Sequence, residues 1–310
     1  MVSADVLGQA DLVDPDLAHL RPEVRALALL GDGERVQHVR ADRWIGYPQA
    51  HEALGQLETL FSWPTRQRMP NLLLVGPTNN GKSMIIEKFR RAHPQVSHPD
   101  REQIPVLVVQ MPAAPTMSRF YLAVQAAMHA PCRSAGRLSD LERITVSLLR
   151  AVGVKVLVID ELHNVLAGSG PRRHEFLNVL RFLGNELRIP LVGVGTKDAY
   201  LAIRADDQLE NRFAPVVLPR WEPDAQACSL LASFTAAFPL RRPSAIATEE
   251  TARYLLTRCE GTIGELAQLL CQAATAAIAS GEEAINQRTL QMADYLGPTQ
   301  RRRAFERELR

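Results

Sequence analysis

Apolar and polar positions follow two rhythms along the chain, and the point where one replaces the other divides it. Asn71-Leu72-Leu73-Leu74-Val75 is a short, continuous apolar run closed by Gly76-Pro77, the pattern of a strand buried on both faces. Similar runs at Ile104–Met111, Val154–Ile159, Leu191–Val194 and Ala214–Leu218 predict four more strands. Between them, apolar residues recur at helical spacing. Ala53, Leu54, Leu57, Leu60 and Phe61 predict a helix over Pro48–Phe61, and others are expected at Met84–Arg91, Ser118–Ala130, Ser139–Ala151 and Arg173–Leu187. Ser139 and Glu142 have the spacing of a capping box. Apolar strands alternating with helices imply an α/β fold, a doubly wound parallel sheet covered on both faces.

After Pro219-Arg220-Trp221-Glu222-Pro223 only helical spacing remains, with helices expected at 223–238, 249–259, 262–280 and 287–296. Thr262 with Glu265 reads as a second capping box, and Gly281 as a helix stop. The expected organisation is an N-terminal extension over 1–42, an α/β core over 43–221, a small all-helical lid over 222–296 and a basic tail over 297–310. The first 45 residues carry eight acids against five arginines, with turns at Asp14-Pro15 and Gly31-Asp32-Gly33 and a helix at Pro22–Leu30. Thr299–Arg310 holds five arginines and two glutamates.

Composition narrows the classes. A chain of 310 residues with 46% hydrophobic and 23% charged positions excludes wholesale disorder. No apolar run approaches the roughly 18 to 20 residues of a membrane span. Met1-Val2-Ser3-Ala4-Asp5 has neither the basic patch nor the apolar segment of a signal peptide, so a cytoplasmic protein with no membrane partner is expected. Net charge is only +2, so any nucleic-acid surface must be a local patch. Cys132, Cys228, Cys259 and Cys271 are scattered, without CxxC or paired histidines, and read as small buried hydrophobes rather than a disulfide framework or zinc site.

The chemistry begins at Gly76-Pro77-Thr78-Asn79-Asn80-Gly81-Lys82-Ser83, a full GxxxxGK[ST] pattern between a buried strand and an amphipathic helix. Its glycines let successive N–H groups and the helix N-terminus face a phosphate. Lys82 can neutralise β- and γ-phosphates, and the Ser83 hydroxyl can ligate Mg²⁺. Val156-Leu157-Val158-Ile159-Asp160-Glu161 is an apolar strand ending in two acids, 77 residues beyond Ser83. Asp160 suits the magnesium ion and Glu161 a general base on water, so the pair points to hydrolysis. His163, two residues on, reads first as a solvated loop histidine and second as a link to a partner. Thr196 follows the Leu191–Val194 strand and suits contact with the γ-phosphate or attacking water; it equally suits a helix N-cap. Arg212, in Asp207-Gln208-Leu209-Glu210-Asn211-Arg212-Phe213, suits an arginine finger that completes a neighbouring subunit's site.

This order of motifs resembles the AAA+ ATPases. The finer wording resembles the TniB/TnsC family of transposon-encoded ATPases, TniB most of all. It rests on Ile45-Gly46-Tyr47-Pro48, the P-loop, Ile159-Asp160-Glu161-Leu162-His163, Gly195-Thr196-Lys197-Asp198-Ala199, Asn211-Arg212-Phe213 and Gly261-Thr262-Ile263-Gly264-Glu265-Leu266. The resemblance implies ATP and Mg²⁺ as cofactors, held by residues Gly76 to Met84, with Ser83 and Asp160 on the metal and Tyr47 beside adenine. It implies Glu161 as water activator, Thr196 at the sensor-one position and Arg212 as the finger. It further implies a ring or helical homo-oligomer on double-stranded DNA that marks a target and recruits or activates a DDE-type transposase, with a TniQ-like protein as a further partner. Many AAA+ lids carry an arginine in the helix near Gly261; here that helix opens without a basic residue. Candidate DNA contacts are Lys88, Arg90, Arg91, Arg101, Arg119, Arg133, Arg137, Arg172-Arg173 and Arg301-Arg302-Arg303. The competing readings are a helicase-loader-like ATPase on single-stranded DNA and a DNA-independent signalling switch.

Overall fold

A computed structural model describes residues 16–131, 137–167 and 170–309. Met1-Val2-Ser3-Ala4-Asp5, Asp14-Pro15, Cys132, Arg133 and Arg310 lie outside the described residues. The elements run α1 (Pro22–Ala28), α2 (Asp32–Arg40), α3 (Pro48–Phe61), β1 (Asn71–Val75), α4 (Lys82–Ala92), β2 (Val96–Ser97), β3 (Glu102–Gln103), β4 (Val106–Gln110), α5 (Met117–Ala127) and α6 (Leu138–Ala151). Then come β5 (Val156–Asp160), a 3₁₀ turn (Leu162–Ala167), α7 (Gly170–Leu187), β6 (Leu191–Gly195), α8 (Lys197–Arg204), α9 (Asp207–Glu210) and β7 (Phe213–Val217). The remainder is α10 (Ala225–Thr235), α11 (Glu249–Arg258), α12 (Ile263–Ala279), α13 (Gln287–Met292) and α14 (Pro298–Glu308).

The described chain gathers into two compact units. One holds Gly46–Glu222 with Leu256–Leu266. Its five-stranded sheet has the order β4-β5-β6-β1-β7, and all neighbours are parallel. β1, β5 and β6 are interior strands covered on both faces, which is why their sequences are apolar runs rather than alternations. Because successive side chains point to opposite faces, Leu73, Val75, Leu107, Val109, Leu157 and Ile159 share one face. There they pack with Phe120, Leu141, Phe176, Leu180 and Leu183 of α5, α6 and α7. Leu72, Leu74, Val156, Val158, Val192 and Val194 are buried on the other face. The sheet is therefore doubly wound, as its apolar rhythm implies.

The other unit holds residues 16–45, 223–255 and 267–309 and is entirely helical among its described elements. Residues 16–45 are anchored within it: the Arg21 N–H donates to Ala236 O, and the Arg43 guanidinium donates to Ala237 O at 2.6 Å. Arg35 is fully buried, donating to both Glu283 oxygens at 2.7 and 2.8 Å, to Asp32 and to Pro239 O. α12 gives way at Gly281, whose φ of +71° marks the expected stop.

One local expectation needs correction. Ser139 and Glu142 form no capping box. α6 begins one residue earlier, at Leu138, with Arg137 as an N-cap that makes no side-chain bond. Glu142 instead accepts from the Tyr121 hydroxyl at 2.7 Å. The basic tail expected over 297–310 contains α14, a helix with no buried residue.

Candidate nucleotide site

The phosphate loop joins the end of β1 to the start of α4. Gly76 donates its N–H to Gly195 O at 3.2 Å, tying the loop to the end of β6. The Lys82 ammonium is buried under the loop and donates to Gly76 O at 2.9 Å and Pro77 O at 2.6 Å. Burial lowers its proton affinity, while the charges of Asp160 and Glu161 raise it. Ser83 follows, its Oγ donating to Asp160 Oδ2 at 3.4 Å, and Met84 is half-exposed beyond it. Thr78 and Asn79 are exposed at the crest.

Asn79 and Asn80 do something the motif does not announce: they cap α12. Asn80 Oδ1 accepts from the Ile263 N–H at 3.3 Å, and Asn79 O accepts from the Gly264 N–H at 3.0 Å. Helix N-termini leave such donors orphaned, so the loop satisfies them. The Asn79 amide donates to Glu265 at 3.2 Å, and the Asn80 amide to Leu218 O and Pro219 O. A Cβ on Gly264 would stand 1.9 Å from Asn79 Oδ1, so any larger residue there would displace the Asn79 side chain from this cap. Tyr47 is buried beside the same loop. Its hydroxyl lies 3.1 Å from where a Cβ on Gly81 would be, and its ring meets Trp221 edge-on at 5.1 Å. Burial pushes its phenol up to about 12, so it stays neutral.

Asp160 ends β5, and its Oδ1 accepts the Glu161 N–H at 2.8 Å. Glu161 takes a φ of +56°, and Asn164 donates its N–H to Glu161 O at 2.9 Å to start the 3₁₀ turn. Its Oε2 lies 3.1 Å from His163 Nε2. His163 is therefore not the solvated loop residue its position suggests. Only about a quarter of its side chain is exposed, and its Nδ1 is buried without a hydrogen-bond partner. Close approach to β6 depends on two glycines. A Cβ on Gly193 would sit 2.6 Å from Leu162, and one on Gly195 would sit 2.8 Å from Ala199 and 3.2 Å from His163 Nδ1. Thr196 occupies the N-cap position of α8, yet its side chain makes no capping bond.

Gly76 to Ser83, Asp160, Glu161 and Thr196 thus gather at the C-terminal ends of three adjacent parallel strands, where doubly wound sheets bind ligands. Arg212 does not join them. It precedes β7, which pairs with β1 in register from Asn71↔Phe213 to Val75↔Val217. Its carbonyl accepts from the Asn71 N–H, and its guanidinium donates to Asn185 at 2.9 Å. Five residues of strand, roughly 16 Å, separate it from the phosphate loop. Sequence reasoning missed Trp221, Asn185 and the His163–Glu161 contact, because each depends on a fold partner without a fixed spacing. The described basic candidates are dispersed, and Arg90 and Arg91 are both engaged by Glu87. Cys228, Cys259 and Cys271 are free thiols. Among the described residues no His, Cys, Asp and Glu cluster has metal-binding form, and no helix is long and apolar enough to cross a membrane.

Comparison with solved structures finds the same architecture in Orc and Cdc6 proteins. The chain is similar to the Orc1 protein of Aeropyrum pernix in complex with DNA, at 18% identity and TM-score 0.60, over 83% of this chain and 68% of that one. It is similar to the Orc2 protein of the same organism in its ADPNP–ADP complexes, at 16% identity and TM-score 0.57, over 83% and 70%. Cdc6p of Pyrobaculum aerophilum matches at 18% identity and TM-score 0.56, over 83% and 68%. The fold is thus that of an AAA+ P-loop NTPase. No curated protein matches the sequence. Residues 35–223, more than half of the chain, match the family described as bacterial TniB protein, and the chain belongs to the TniB family.

Proposed function

We propose that the protein hydrolyses ATP and, in its ATP-bound form, oligomerises on double-stranded DNA to mark a target for a transposase. One observation carries the reading: the phosphate loop, an acidic pair and a free threonine hydroxyl converge on one sheet edge, while Arg212 stands at the other. Residues Gly76, Pro77, Thr78, Asn79, Asn80, Gly81, Lys82, Ser83 and Met84 line the phosphates, and Tyr47 flanks the base. The donors Ser83 Oγ and Asp160 Oδ2 are the hard oxygens that magnesium takes, and they stand 3.4 Å apart. Held there, the ion would offset charge on the β- and γ-phosphate oxygens. Glu161 accepts the proton of the attacking water as its oxygen adds to the γ-phosphorus and the bond to ADP breaks. Thr196 orients the γ-phosphate or that water, and Arg212 supplies charge to the site of the next protomer.

The family membership supports the remaining partners: the transposase of the same element, a TniQ-like protein and further copies of this chain in a ring or filament. The Orc1 complex supports DNA as a ligand. Arginines spread over several surfaces suit phosphate contacts, which give sequence-tolerant binding. The test is filter binding with duplex and single-stranded DNA, with and without ATP. Tight duplex binding is expected only with ATP, with log affinity falling linearly against log salt. Preference for single strands would instead indicate a helicase-loader-like ATPase, and ATP turnover indifferent to DNA a signalling switch. Lys82→Ala should lose nucleotide binding. Glu161→Gln should bind ATP, hydrolyse it poorly and accumulate on duplex DNA; parental turnover would overturn the assigned base.

A further inference from the structure

We infer that His163 is a positioning residue that holds the Glu161 carboxylate in its water-activating orientation and ties it to the strand that presents Thr196. The inference rests on the reading of Glu161 as general base. His163 Nε2 lies 3.1 Å from Glu161 Oε2, and a proton carried on Nε2 is one that this carboxylate can accept, with Nδ1 as the ring's other nitrogen. That Nδ1 is buried and has no partner among the described residues. Buried polar atoms are nearly always satisfied, because an unmade hydrogen bond costs stability. A leucine or methionine would fill the same space without that cost. Packing alone therefore does not account for an imidazole here, whereas the 3.1 Å approach of Nε2 to the Glu161 carboxylate does.

The surroundings fix the ring. Gly195 gives it room, its notional Cβ lying 3.2 Å from Nδ1 and 3.5 Å from the His163 backbone nitrogen. Leu162 is seated over Gly193 in the same way. Glu161 is fixed from its own side, in a left-handed backbone conformation held by Asp160 Oδ1 and the Asn164 N–H. With both ends of the Glu161–His163 contact anchored, one carboxylate oxygen is tied and the other is left for water. Gly195 directly precedes Thr196, so the ring that approaches Glu161 also lies beside the strand end that carries the Thr196 hydroxyl.

The experiment is steady-state ATPase kinetics on the full chain with saturating duplex DNA. His163→Ala should lower kcat about 10- to 100-fold, the size of effect that follows from a misplaced catalytic group, with KM for ATP unchanged within about 2-fold. Two amide variants separate positioning from packing. His163→Gln extends a donor to the reach of Nε2 and should restore kcat to within a few-fold of the parent. His163→Asn preserves a folded, polar residue but falls short of Glu161 and should behave like alanine. In a Glu161→Gln background, His163→Ala should cause no further loss, because it acts through Glu161. Parental or raised kcat in His163→Ala, equal loss in the Gln and Asn variants, or an additive loss in the double variant would each overturn the assignment. If Glu161→Gln turns over at the parental rate, the general base and this inference fall together. If only the His163 variants leave kcat unmoved, the ATPase reading stands and this inference alone falls.

Discussion

Glycine has opposite consequences at two positions of this chain, and the difference lies in what surrounds each Cα. At Gly195 an added methyl would stand 2.8 Å from the Ala199 Cβ and 3.2 Å from His163 Nδ1, both inside a packed layer. Neither neighbour is the free end of a flexible side chain, so Gly195→Ala should cost about 1 to 3 kcal/mol through overpacking. At Gly55, an exposed position within α3, nothing lies within 4 Å of the same added atom. Gly55→Ala should therefore stabilise by about 0.4 to 1 kcal/mol, by raising helix propensity and reducing unfolded-state freedom. Thermal denaturation of the two variants beside the parent checks both signs, and a raised Tm for Gly195→Ala would refute the close seating of His163 on β6. The same contrast explains what could be read in advance. Lys82, Ser83, Asp160 and Glu161 announce themselves because their chemistry is set by spacing along the chain. His163 and Asn185 acquire meaning only from a partner that folding brings near, and no pattern around them encodes it.

At the scale of elements, legibility followed the strength of the apolar pattern. The interior strands are nearly unbroken apolar runs because both faces are buried, so their positions were plain to within a residue or two. α2, Asp32–Arg40, is harder to place, because it opens on the turn signals of Gly31-Asp32-Gly33 and its buried residues are few. One of those residues is Arg35, and its partner Glu283 lies far away in the sequence. A buried arginine cannot be told from an exposed one by composition, and here it decides how residues 16–45 attach to the helical unit. Burial pushes the Glu283 carboxyl up, but hydrogen bonds and charge from Arg35 outweigh it, holding it below the ordinary carboxylate range. A depressed carboxyl contributes stability above its unfolded value of about 4.3, and loses it as pH falls through the lower folded value. Glu283→Ala, which strands the buried guanidinium, should cost about 3 to 5 kcal/mol at pH 7. Urea unfolding at pH 7 and pH 3 measures both effects. The gap between parent and variant should narrow at pH 3, and an unchanged gap would exclude this ion pair as the source.

At the scale of the whole molecule, the decisive fact is that the sheet has two ends. In a parallel sheet every strand finishes at the same edge, so the phosphate loop, Asp160, Glu161 and Thr196 are neighbours by topology. Arg212 stands where β7 begins, and no side-chain rotation carries it past a strand to its own nucleotide. Its present partner, Asn185, is a neutral surface amide that gives up little when the guanidinium leaves. Arg212→Ala should accordingly leave ATP binding nearly intact and lower hydrolysis by roughly 10³- to 10⁵-fold, the range arginine fingers supply in other phosphoryl-transfer systems. A loss of activity alone does not say whose site the arginine serves, so the test mixes two inactive proteins. Arg212→Ala protomers retain Glu161, and Glu161→Gln protomers retain Arg212. In a mixed oligomer some interfaces bring an intact Glu161 against an intact Arg212, and only there is a complete site assembled. Partial recovery of ATPase on mixing, rising to a maximum near equal proportions, is the expected outcome. Absence of recovery with co-assembly on DNA demonstrated would remove Arg212 from catalysis between subunits and leave it the structural role its bond to Asn185 already describes.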